Sequence, residues 1–207
     1  MAILDIVRNL MRKFMHGVAV ALNKATDGKL HPDIITYFGL AMHLPIAGLI
    51  MIGDFVSAGI LLIIFGLFDT LDGELARLQK RASPAGMVLD ASTDRIKEVF
   101  LYIAIAYYFV DIHEPDFAVW AVAALGASLL VSYIKAKGET AIADKKLSSN
   151  EKNRVFSDGV LRFEVRMFLI VVGLFFDKLE YILYIIAVLA ALTAVGRLYR
   201  IVKALRK

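Results

Sequence analysis

Residues 58–110 read AGILLIIFGLFDTLDGELARLQKRASPAGMVLDASTDRIKEVFLYIAIAYYFV. Two apolar runs, 58–67 and 99–110, enclose a segment that holds Asp69, Asp72, Glu74, Asp90 and Asp94. The runs suit hydrocarbon. The carboxylates do not, because an isolated charge near a low-dielectric boundary is costly or neutralises. Any fold for this chain must therefore place a carboxylate cluster at the edge of a bilayer and give it a counter-charge.

The rest of the chain supports the membrane setting. It has 207 residues, 59% of them hydrophobic, with a mean hydropathy of +0.67. Soluble domains are nearer half apolar. A spanning helix needs about 20 mostly apolar residues. Six such stretches are expected, at 33–53, 55–79, 86–110, 117–137, 159–177 and 179–202. The runs are continuously apolar rather than alternating, which argues against a β-barrel. The expected architecture is an all-α membrane protein with six transmembrane helices in 31–207. It is preceded by an amphipathic segment, 1–30, lying in the interface. In that segment Ile3, Ile6, Val7, Leu10 and Phe14 recur at helical spacing while Arg8, Arg12 and Lys13 face elsewhere. Such a helix suits a membrane surface or a packed protein face. Residues 1–24 are too charged for a cleavable signal peptide.

Charge sets the orientation. Of 24 Lys and Arg, only Lys178 falls in the loops that would be external if the N-terminus is cytoplasmic. Cytoplasmic loops carry such an excess. The pI of about 9.2 thus reads as orientation and anionic-lipid contact rather than nucleic-acid binding. There is no cysteine, so disulfides and thiol chemistry are excluded.

On a helix at about 100° per residue, Asp69, Asp72, Gly73, Ala76 and Arg77 fall within roughly 140° of one another. Gly86, Asp90, Asp94 and Lys97 form a second stripe. The stretch between, QKRASPA, turns the chain, with Ser83 as a cap and Pro84 early in the next helix. Two antiparallel helices would then set Asp69 and Asp72 opposite Asp90 and Asp94. All-oxygen donors favour hard ions such as Mg²⁺ or Mn²⁺. Four carboxylates suffice for two ions about 4 Å apart. Glu74 points off this face and reads as a solvated or Lys-paired residue. Arg77 is a fork suited to phosphate. The rival class is a divalent-cation transporter, which expects carboxylates near mid-bilayer on broken helices. Here they cluster at the basic ends.

Written with its gaps, the segment is D69-xx-D72-G73-xx-A76-R77-x8-G86-xxx-D90-xxx-D94. It resembles the signature of the CDP-alcohol phosphotransferase family at every fixed position. The resemblance implies transfer of a phosphatidyl-type group from a CDP-linked lipid, diacyl or archaeal ether, to a hydroxyl, with release of CMP. It implies that Asp69, Asp72 and Asp90 ligate the metals and that Asp94 is the general base, also touching a metal. Asp69, Gly73 and Arg77 would contact the CDP moiety. Upstream, LHPDIITYFGL (30–40) is similar to the family's entry to its first spanning helix, with Asp33 in place of a usual Asn. Thr36 and Asp33 are thus placed on the nucleotide or at the helix cap, and Ser83 on its phosphates or at the next cap.

Two further segments are similar to the phosphatidylinositol-phosphate synthase branch of the family. They are SYIKAKGE (132–139), where Lys137 replaces an Arg, and LRFEVR (161–166). Lys135, Arg162 and Arg166 are the residues implied to hold a phosphorylated acceptor, inositol phosphate. The arginines stand at i, i+4 on one expected helical face. Glycerol-3-phosphate is the competing acceptor, and positive-inside anchoring the plainer reading of these cations. A homodimer in a prokaryotic cell membrane, with a cytoplasmic site, is implied by the same resemblance. The polar stretch 138–158 is either a flap over the site or a plain loop. His43, inside the first span, reads as a packing residue with a hydrogen bond.

Overall fold

A computed structural model describes residues 2–142 and 161–206, with side chains from Met11 onward. Every described element is a helix: α1 Ala2–Ala25, α2 Pro32–Met51, α3 Phe55–Gly66, α4 Phe68–Leu78, α5 Pro84–Asp111, α6 Pro115–Ile142, α7 Phe163–Phe176 and α8 Leu179–Leu205. Helices are what a bilayer demands, because each satisfies its own backbone polar groups. Among the described residues, four stretches are long and apolar enough to cross a membrane: Pro32–Met51, Phe55–Leu78, Pro115–Ile142 and Leu179–Leu205. The other two expected spans form helices with different balances. In α5 the first half is charged, and α7 is only 14 residues long. The second span is broken at Leu67, whose N–H reaches back to the Ile64 carbonyl at 3.2 Å.

The chain divides into two compact units. The first comprises 1–50 and 57–101. Here α1 packs on α4: Met15 and Ala19 are buried with Leu71, Leu75 and the Ile35 of α2, and Val18 and Leu22 pack around them. Phe14, expected on the apolar face, is 63% exposed. Ile3, Ile6, Val7, Leu10 and Arg8 lie outside the described side chains. Phe38, Phe65 and Phe68 stack about the α3–α4 break, with Phe65 and Phe68 centroids 5.1 Å apart.

The second unit comprises 51–56 and 102–207. Its core is the long pairing of α6 with α8. Ala121, Ala124 and Ala127 on α6 and Ala187, Ala190 and Ala194 on α8 are buried, and small residues let membrane helices approach closely. Arg197 of α8 is buried in this unit and donates to the Val131 carbonyl of α6 at 2.8 Å. At Gly173 of α7 a Cβ would stand 2.9 Å from Ile182 Cγ1, so only glycine allows α7 to sit this close to α8. Gly53 adopts φ +77 in the α2–α3 turn, beneath the Tyr108 ring.

α6 runs on to Ile142, past the expected end at 137. Residues 138–142 of the expected polar connection are therefore helical. The remainder of 138–158 lies outside the described residues.

Candidate active site

The acidic motif lies wholly in the first unit. Pro84 opens α5, and Ser83 Oγ accepts the Gly86 N–H at 3.1 Å, so Ser83 caps that helix. Lys80 takes φ 56, and the Arg81 N–H closes α4 by donating to the Ala76 carbonyl at 2.8 Å. This short turn returns the chain and brings Asp90 and Asp94 within electrostatic range of Asp69, with Asp72 facing both Asp69 and Asp90. Both expected carboxylate pairs thus reach one locality.

Each carboxylate has its own surroundings. Asp72 is buried and accepts a hydrogen bond from Thr36 Oγ1 at 2.5 Å. Thr36 therefore ties α2 to α4. Its hydroxyl also lies 3.5 Å from the Pro32 carbonyl, within its own helix. Asp69 accepts a hydrogen bond from the Lys97 ammonium, which is 1% exposed. The same ammonium stands 3.8 Å from Asp94 Oδ1, a buried oxygen with no hydrogen-bond partner. Arg95 flanks the other oxygen of Asp94 at 3.5 Å and pairs with the fully buried Glu98 at 3.3 Å. Asp90 is the exposed member. His43 Nδ1–H donates to the Gly39 carbonyl at 2.8 Å, the packing bond expected of it.

The residues fit a divalent ion in donor chemistry. They supply oxygen ligands from two helices, mutual repulsion that needs a counter-charge, and an orphaned buried oxygen on Asp94. Among the described residues no three carboxylate or imidazole groups converge at metal-holding distance. The Lys97 ammonium is drawn onto Asp69 instead.

Glu74 departs from the reading of it as a solvated or Lys-paired residue. It is 8% exposed and accepts from Arg77 at 2.6 Å, with Arg12 Nε at 3.4 Å and His16 Nδ1 at 3.3 Å. The cause is α1, which covers this side of α4 and supplies two of the partners. Arg77 folds back over Gly73, where a Cβ would lie 3.5 Å from its guanidinium. A glycine at 73 leaves that guanidinium room to lie along the helix. Asp33 sits at the start of α2, its N–H donating to His31 Nδ1 at 3.3 Å.

The expected acceptor residues lie in the second unit. Arg162 precedes α7 in extended conformation and is exposed, whereas Arg166 is buried and donates to the Leu161 carbonyl at 3.0 Å. Arg162 is the N-cap of α7, its carbonyl accepting the Arg166 N–H at 3.1 Å, so the two arginines keep their i, i+4 relation while differing in burial. Arg166 also lies over the Phe163 ring, 6.0 Å from its centroid. Lys135 is half exposed and pairs with Glu139 at 3.9 Å. Sequence reasoning had no role for Thr36 on Asp72, for Arg95 with Glu98, or for Lys97 beyond its stripe. The signal for Arg95 and Lys97 was their place beside Asp94 in a run otherwise headed into hydrocarbon.

The chain belongs to the CDP-alcohol phosphatidyltransferase family, which residues 29–200 match. A phosphatidylinositol phosphate synthase of Corynebacterium glutamicum is 33% identical over 114 residues, covering 54% of this chain and 52% of that protein. The chain thus spans about half the length of that relative. In fold it is similar to the phosphatidylinositol phosphate synthase of Mycobacterium tuberculosis with CDP-DAG bound, at a TM-score of 0.77 and 23% identity, covering 91% of this chain and 94% of the other. A structure of the same synthase in complex with manganese and citrate gives a TM-score of 0.75 at 24% identity, covering 90% and 88%.

Proposed function

We propose that this protein transfers a phosphatidyl-type group from a CDP-linked lipid to a hydroxyl of inositol phosphate, releasing CMP. One observation carries the reading: Asp69, Asp72, Asp90 and Asp94 gather in one locality, with the buried Asp94 Oδ1 left without a hydrogen-bond partner. An unbonded basic oxygen beside three further carboxylates suits activation of a hydroxyl next to a pyrophosphate. Asp94 takes the proton of the acceptor hydroxyl as its oxygen bonds to the lipid-bearing phosphorus. The bond from that phosphorus to the CMP oxygen breaks, and CMP leaves with the electron pair. Thr36 fixes the Asp72 carboxylate for this work. Gly73 and Arg77 receive the CDP moiety, with Arg77 turning from Glu74 toward phosphate.

Asp69, Asp72, Asp90 and Asp94 would hold two Mg²⁺ or Mn²⁺ ions, which neutralise charge developing on the leaving CMP. A synthase of the same fold, that of Mycobacterium tuberculosis, is solved in complex with manganese, which accords with a divalent ion here. Inositol phosphate as acceptor is supported by the relative's activity as a phosphatidylinositol phosphate synthase and by three cations, Lys135, Arg162 and Arg166. The six-span layout, the cytoplasmic site and a homodimer belong to the same proposal.

The test is CMP release from CDP-diacylglycerol with inositol phosphate, glycerol-3-phosphate, serine and inositol offered separately. Turnover with inositol phosphate well above the others is the expected result. Preference for glycerol-3-phosphate would reassign the acceptor. Absence of CMP with every acceptor, together with cation flux in liposomes, would overturn the transferase reading.

A further inference from the structure

The acidic site contains a cation of its own. Lys97 is the only buried lysine among the described residues, 1% exposed, and its ammonium meets Asp69 from the facing helix and Asp94 from its own. Asp90 lies within its electrostatic range, as does His43 of α2. The neighbouring cation Arg95 is engaged by Glu98 and Asp94. An ammonium so placed is retained only by the carboxylates around it, since a buried charge without a partner is strongly disfavoured.

We infer that Lys97 is a built-in counter-cation: it holds Asp69 and Asp94 together in the metal-free protein and weakens divalent-ion binding at the same carboxylates. The inference rests on the metal reading above. Two properties of lysine make it work. A positive charge a few ångströms from a divalent ion opposes that ion's entry. The four-carbon stem is flexible and carries a point charge, so the ammonium can withdraw when a metal takes its partner oxygens. An arginine fork would be harder to displace from a carboxylate. The site thus stays assembled without metal and becomes occupied at a higher ion concentration than four bare carboxylates would require.

The experiment titrates Mn²⁺ into the purified full-length protein and follows free Mn²⁺ by electron paramagnetic resonance. Thermal unfolding is recorded without metal and at saturating Mn²⁺. Lys97→Met should bind Mn²⁺ about tenfold more tightly than wild type. Its metal-free Tm should fall below wild type, and Mn²⁺ should raise its Tm by more than it raises that of wild type. If Lys97→Met does not fold, Lys97→Gln carries the same expectations. Mn²⁺ affinity within twofold of wild type in the neutral variant, or weaker, overturns the role of Lys97 and leaves the metal reading standing. A wild-type protein that binds no Mn²⁺ overturns both.

Discussion

Asp94 carries opposite demands in one side chain. One oxygen is flanked by Arg95 and the other is buried, unbonded and 3.8 Å from Lys97. Replacing it with Asn keeps the shape and removes the proton acceptor. CMP release by Asp94→Asn should fall roughly 10²–10⁴-fold, the usual contribution of a general base, while CDP-lipid binding remains measurable. Near wild-type turnover would remove Asp94 from that role. The acceptor arginines should separate. Arg162 is exposed, so Arg162→Ala should raise the acceptor KM more than the donor KM and leave stability almost unchanged. Arg166 is buried on the Leu161 carbonyl, so Arg166→Ala should raise the acceptor KM and also lower the unfolding temperature. Equal effects on both KM values would point to a structural role. At this scale the motif was legible because its members are fixed by gaps along two helices. Glu74 was misread because its partners Arg12 and His16 stand 62 and 58 residues away, on a helix whose docking no local spacing reveals.

Between elements, Thr36 is a hydrogen-bonded link between α2 and α4. Thr36→Val keeps volume and removes the donor to the buried Asp72 carboxylate. The loss should be about 1–3 kcal/mol, the penalty for a buried acceptor left unsatisfied. A detergent-based unfolding measurement checks it, and an unchanged midpoint would mean that Asp72 finds another partner. The α4–α5 pair makes a second prediction. If its four carboxylates hold hard divalent ions, EDTA should abolish CMP release, and Mg²⁺ or Mn²⁺ should restore it. Activity indifferent to chelation would rule out the metal role. Element ends were readable where chemistry punctuates the chain, as at Ser83-Pro84. They were missed where that punctuation is weak: GETAI, polar and glycine-bearing, continues α6 to Ile142, and only Gly66, one glycine in an apolar run, marks the break before Leu67.

At the scale of the whole chain, topology turns on whether α5 and α7 cross the membrane. Among the described residues four qualify by length and composition. α5 fails on composition, yet its 28 residues amount to about 42 Å of helix, more than the roughly 30 Å of hydrocarbon. Its charges are concentrated in the first half, where Asp94, Arg95, Lys97 and Glu98 form ion pairs with one another and with Asp69. Paired charges turned into protein do not forbid insertion. Four spans without α5 and α7 would put Lys145, Lys146, Lys152 and Arg154 outside, against the positive-inside bias. Six spans keep them cytoplasmic. The two topologies disagree about the α5–α6 turn and agree about the α4–α5 turn. The chain has no cysteine, so single cysteines report without background. An impermeant maleimide added to intact cells should label Glu114→Cys and Lys178→Cys, and should reach Arg81→Cys only after the membrane is opened. Glu114→Cys protected in intact cells, with Lys178→Cys labelled, would show that α5 stays on the cytoplasmic side and that the carboxylates sit on a helix lying along the membrane.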